Sequence, residues 1–127
     1  MGTMKPRGVP VNFDGQERMF LFTLNTIDEI QEETGKTMQE IMEELTEDRG
    51  KRETLKYVVM TLLNEEAERA KRKGLEEIPT SVTLQDVGDM IGMDNLIDVT
   101  AAILVAYGYS FPEAEEDDPN QESGQQT

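Results

Sequence analysis

Residues 26–45 read TIDEIQEETGKTMQEIMEEL, and they write two short amphipathic helices around a glycine hinge. Thr26 and Thr37 are each followed three residues later by a glutamate, Glu29 and Glu40. In such a pair the threonine oxygen accepts from an N–H of the first turn while the glutamate reaches back to the cap's own N–H. Gly35 stands where the first helix must end, in the left-handed backbone conformation that costs glycine least. A cap is worth about 1 kcal/mol, so the pattern predicts helix starts near 27 and 38. Ile27, Ile30, Met38, Ile41, Met42 and Leu45 recur at helical spacing and mark the inward face.

Upstream, Val9 to Phe13 and Arg18 to Leu24 flank Asp14-Gly15, the signature of a tight hairpin turn. In the second strand Met19, Leu21 and Thr23 alternate with Phe20, Phe22 and Leu24, so both faces are largely apolar and both are expected to find cover. Downstream, a polar break over Glu47, Asp48, Arg49 and Gly50 leads to a helix over about 52–73. It presents Leu55, Val58, Val59, Leu62, Leu63, Ala67 and Ala70 and stops at Gly74. Its second half, NEEAERAKRK, is mostly polar and is expected to project from the body. A loop with Pro79 follows, then a short helix capped by Thr83 with Asp86 in its first turn. Asp94 is read as the cap of a last helix, Asn95 to about Tyr107, apolar on nearly every side. Such a helix is either the centre of the fold or part of an oligomer interface, and the first reading is preferred.

These elements predict an α+β chain, mainly helical, with an N-terminal β-hairpin packed on about five helices. The organisation is a flexible N-terminus over 1–8, one domain over 9–111, and a disordered acidic tail over 112–127. That tail holds six acids, no base and almost no apolar side chain. With 127 residues the chain can bury roughly two thirds of its unfolded surface, enough for a real core.

The chain has no cysteine and no histidine. That excludes a disulfide framework, a thiolate or imidazole zinc site, and a Cys or Ser nucleophile activated by His. Asp86, Asp89, Asp94 and Asp98 are the best candidate for a cation site, but their spacing matches no calcium loop and two are claimed by helix starts. Gly88 and Gly92 lack the lysine and preceding strand of a phosphate loop. No cofactor, metal or catalytic residue is assigned, and the chain is expected not to be an enzyme.

The formal charge of −15 is unevenly spread. Residues 28–48 carry nine acids against Lys36 alone, so the helix pair is acidic outside. The only basic cluster, Arg69, Lys71, Arg72 and Lys73, closes a helix whose dipole favours cations there. Nucleic-acid binding needs a basic face and is not expected, nor is an anionic membrane surface. The start, MGTMKPRGVPV, has no apolar signal core, and no run approaches the roughly 20 apolar residues of a membrane span. A soluble protein is therefore expected.

The order of an Asp-Gly hairpin, then TIDEIQEETGKTMQEIMEEL, LLNEEAER and VTLQDVGDMIGMDNLIDVTAAILVAYGYSFP resembles the tail assembly chaperones of long-tailed bacteriophages over about residues 9–112. The pieces that carry it are a strand entering an I-x-x-I-x-x-x-T-G helix end, met by Ile27, Ile30, Thr34 and Gly35, and Gly92 before an apolar helix. The resemblance implies a non-virion viral protein of the host cell cytoplasm. It would bind the tape measure protein, keep it soluble, and help bring tail tube protein around it. No site residue is carried over from the family.

On physical grounds the groove beside the two short helices, lined by Ile27, Ile30, Met38, Ile41, Met42 and Leu45, is the first candidate to receive a client helix. Eight methionines suit varied partners, and strong negative charge opposes aggregation. A homo-oligomer stays open. Two other functions stay open as well: an acidic mimic of nucleic acid that blocks a DNA-binding protein, and a structural component of the tail or head.

Overall fold

The computed structural model describes residues 8–13, 15–47 and 52–108. Residues 1–7 of the flexible start expected over 1–8, Asp14 of the turn, most of the polar break, Tyr109, Phe111 and the acidic tail lie outside the described residues. The architecture is α+β: strands β1 (Val9–Phe13) and β2 (Gln16–Phe20), then helices α1 (Leu24–Thr34), α2 (Met38–Glu47), α3 (Arg52–Lys73), α4 (Leu84–Met90) and α5 (Leu96–Tyr107).

The hairpin pairs antiparallel, with Val9 opposite Phe20, Val11 opposite Arg18 and Phe13 opposite Gln16. This register leaves a two-residue turn, as the Asp-Gly pair requires, and Gly15 takes φ +86° there. One face, with Val11, Phe13, Arg18 and Phe20, is buried; the other, with Pro10, Asn12, Glu17 and Met19, is exposed. The expectation of two covered faces is corrected, because β2 ends at Phe20 and the apolar residues after it leave the sheet.

They leave it to start α1 three residues earlier than the Thr26–Glu29 pattern predicts. Thr23 is the cap: its Oγ1 accepts from the Thr26 N–H at 3.2 Å, and Thr26 Oγ1 accepts from the Thr23 N–H at 2.8 Å. Thr26 is thus the third residue of the helix and fully buried. Phe22 and Ile27, which flank this box before and after, both pack half-buried against the core, the positions of a hydrophobic staple.

The hinge forms as read. Gly35 takes φ +68° and donates to Gln31 O, while a Cβ there would meet nothing within 4 Å, so only the backbone conformation demands glycine. Thr37 and Glu40 form the second box, with Glu40 Oε1 accepting from the Thr37 N–H at 2.8 Å. The corner between the helices is tied further by Gln31 Oε1, which accepts from the Met38 N–H at 2.9 Å. Lys36 Nζ donates to Glu44 on α2 and to Thr54 Oγ1 on α3, the latter at 3.1 Å. These bonds turn the inner faces of α1 and α2 onto α3.

Helix α3 is the spine, lying against β2, α1 and α4. Its second half does not project: Ala67 and Ala70 are buried, and their small side chains let the hairpin lie close. Arg18 of β2 reaches α3, donating through Nε to Glu66 at 2.8 Å and through Nη2 to Leu63 O at 3.2 Å. The following loop is held by Asn64, which donates to Val82 O at 2.9 Å and accepts from the Val82 N–H at 2.7 Å. At the far end Lys71 and Arg72 pair with Glu68 and Glu65, as a cationic last turn favours.

Thr83 and Asp86 form the expected capping box of α4. Asp94 does not cap α5. Asn95 takes the cap position without a side-chain cap bond, its Oδ1 accepting from the Gly92 N–H at 2.8 Å and its Nδ2 donating to Met90 O at 3.0 Å. An amide can do both at once and so closes the α4–α5 turn, which a carboxylate cannot. Helix α5 then packs on β1 and β2 and ends at Gly108 with φ +83°.

Candidate functional site

The six residues first proposed as a docking groove divide sharply. Ile30, Ile41 and Met42 are 0% exposed and Met38 is 2% exposed, so the corner of α1 and α2 has spent this face on the core. Ile27 is half-buried against the same core. Those five do not form an open groove, and the site drawn at that corner is corrected. Leu45, one turn beyond Met42, borders open space.

That space is a hollow of about 310 Å³ between the end of α2 and α5. Leu45 and Thr46 form one wall, and Leu96, Ile97, Thr100, Ala101 and Leu104 form the other. Helix α5 is not buried on every side as read from its sequence. Val99, Ile103 and Leu104 are buried, whereas Ile97 is 79% and Val105 65% exposed, with Ala101 exposed between them. Met93, just before the helix, is 84% exposed. Ile97, Ala101 and Val105 lie four residues apart on α5, so they form one stripe along about two turns. Of the other exposed large apolar residues, Leu24 and Leu84 begin separate helices, and Leu75 and Ile78 lie in the loop after α3.

No carboxylate lines the hollow. Asp94, just before α5, and Asp98 on it are exposed, and between Asp98 and Tyr107 the helix carries no charge at all. On α2, Glu43 and Glu47 are exposed; Glu43 accepts from Gln39 Nε2 at 3.1 Å, and Glu47 is also engaged. A second hollow of about 340 Å³ adjoins the first across Leu96, with Arg52, Leu55, Lys56, Gly88 and Met93 in its lining. Its two cations are not free charges for an anion: Lys56 Nζ lies 3.6 Å from Glu53 Oε2, and Arg52 is also engaged.

Among the described residues no group of three or more carboxylates is gathered to hold a metal ion, and Asp86, Asp89, Asp94 and Asp98 do not converge. Tyr57 titrates above the usual phenol value, raised by burial first and then by the nearby Glu29 and Glu33 carboxylates. Its hydroxyl donates to Glu29 Oε2 at 3.5 Å, linking α3 to α1. This serves the helix pair rather than a cleft. Tyr107 packs edge-on to Phe22, with ring centroids 5.4 Å apart, and so joins the core from the end of α5. No helix among the described residues is long and apolar enough to cross a membrane.

Sequence reasoning missed the α5 face because the helix has no polar side to show which apolar side stays bare. Tertiary placement alone decides that. The arrangement offers an apolar surface suited to holding a partner by contact. Comparison of the chain with models of protein families, with curated proteins and with solved structures finds no match.

Proposed function

We propose that this protein is a tail assembly chaperone of the kind found in long-tailed bacteriophages, acting in the host cytoplasm on the tape measure protein. The observation that carries the reading is the bare apolar stripe Ile97, Ala101 and Val105, with exposed Met93 just before the helix, on a chain of net charge −15. A holding protein must offer apolar surface to an unassembled client without clumping with its own kind. The charge supplies the second property and the stripe the first. The I-x-x-I-x-x-x-T-G corner supports the same reading through its likeness to the family, as a structural unit that presents α2 beside α5. Tail tube protein is the expected second partner, recruited once the client is held.

Co-expression with the tape measure protein of the same genome tests this. The client is expected to move from the insoluble to the soluble fraction and to co-purify with the chaperone, which should be absent from finished particles. A client that stays insoluble in its presence, or a chain retained in purified tails, overturns the reading.

A further inference from the structure

We propose that Met93 is the site at which a peroxide acts on this protein. It is oxidised ahead of the other methionines among the described residues, and its sulfoxide makes the corner before α5 polar while the fold stays. The order of oxidation rests on the structure alone, and its consequence for a client rests on the function proposed above.

Access separates the methionines. Of the six among the described residues, Met38 is 2% and Met42 0% exposed, and Met60 and Met90 are half-buried against the core. Met19 is 36% exposed, its side chain lying over Gly8, whereas Met93 is 84% exposed. A thioether closed in the core meets a dissolved oxidant only when its surroundings open, so its rate is scaled down by the small fraction of open molecules. Met93 needs no opening.

The corner that displays Met93 is built without its side chain. Asn95 Oδ1 accepts from the Gly92 N–H, Asn95 Nδ2 donates to Met90 O, and the Leu96 N–H donates to Gly92 O at 2.9 Å. Met93 is not one of the side chains packed on the core, so a change at its sulfur leaves these bonds and that packing in place. In the reaction with hydrogen peroxide a sulfur lone pair attacks one peroxide oxygen and the O–O bond breaks. The sulfur keeps that oxygen and gives up two electrons, and the other oxygen leaves as water. The product is a polar, chiral sulfoxide in place of a flexible apolar side chain. Met93 lines the hollow that Leu96 shares with the α5 face, so the polar group enters at the head of the bare stripe. A surface that holds a partner by apolar contact loses part of that contact.

The test exposes the full chain to dilute hydrogen peroxide and follows the oxygen gained by each methionine over time, by mass spectrometry of its peptides. Met93 is expected to react about tenfold or more faster than Met38 and Met42, with Met19 between them. The thermal midpoint is expected to hold while Met93 reacts. Met38 or Met42 oxidised as fast as Met93 overturns the proposal. So does a midpoint that falls as Met93 gains its oxygen in the unchanged chain and holds under the same treatment in Met93→Leu.

For the client, the treated chain is expected to bind tape measure protein about fivefold more weakly than the untreated chain, and a methionine sulfoxide reductase to restore the binding. Met93→Leu is expected to bind equally before and after treatment. If Met93 reacts first and the treated chain binds the client undiminished, the proposed regulation falls and the chaperone reading stands. If the untreated chain never binds the client, the chaperone reading falls, and the order of oxidation alone upholds or overturns Met93 as the site.

Discussion

Ile30→Asp is expected to leave no cooperatively folded protein at 25 °C. Ile30 is fully buried on the inner face of α1, among Ile41, Met42 and the α3 side chains that close over the corner. Removing its packed side chain costs about 2–5 kcal/mol. An unpaired carboxylate left in its place adds a penalty of several kcal/mol, whether it stays charged or takes up a proton. Domains of this size are stable by only about 5–15 kcal/mol, so the sum consumes most or all of the stability. Ala101→Glu, on the bare side of α5, should by contrast stay within about 1 kcal/mol of the unchanged chain. Thermal unfolding followed by circular dichroism reads both. A folded Ile30→Asp protein would mean that the α1–α2 corner can open, and would return that corner to consideration as a docking groove.

Glu66→Ala is expected to cost about 3 kcal/mol, and the double change Arg18→Met, Glu66→Met to recover most of it. The Arg18 side chain is 3% exposed, inserted from β2 between the hairpin and α3. Among the described residues, without Glu66 its guanidinium keeps the Leu63 and Thr80 carbonyls, at 3.2 and 3.4 Å, and loses the carboxylate that pairs with it. Replacing both partners removes the orphan along with the pair, and methionine fills a similar volume. Urea midpoints at constant slope measure this. Equal midpoints for the single and double variants would show that Arg18 is held by the two carbonyls and by packing rather than by Glu66.

Much of the fold was legible because local chemistry decided it. Asp14-Gly15 sets the hairpin register, Gly35 ends α1 in the left-handed conformation, and the Thr37–Glu40 and Thr83–Asp86 boxes start α2 and α4. The misplaced features involve competition between neighbours. The pattern put the first cap at Thr26, but Thr23, read as part of the strand, takes that place because Thr26 turns inward as part of the core. Asn95 displaces Asp94 because the α4–α5 turn needs a donor as well as an acceptor. The polar half of α3 looked solvent-bound, since the pattern could not reveal that Arg18, distant in sequence, would arrive to meet Glu66.

The candidate site was barely legible for a related reason. An amphipathic face reads clearly as a face but not as open or closed. The cleanest such face, on α1 and α2, is spent on the core by the Lys36 and Gln31 bonds that fold the corner onto α3. Helix α5, lacking any polar side, advertised burial everywhere and keeps one side bare. Leu45 belongs to both accounts, at the end of the first face and in the wall of the second.

The central claim is that a client rests on α5 and the end of α2. Hydrogen exchange of the backbone amides, measured on the chain alone and in complex with the tape measure protein, tests it most directly. Slower exchange along α5 and the last turn of α2, with α1 and the hairpin unchanged, is the predicted result. Protection gained on α1 or the hairpin while α5 exchanges as before would contradict it.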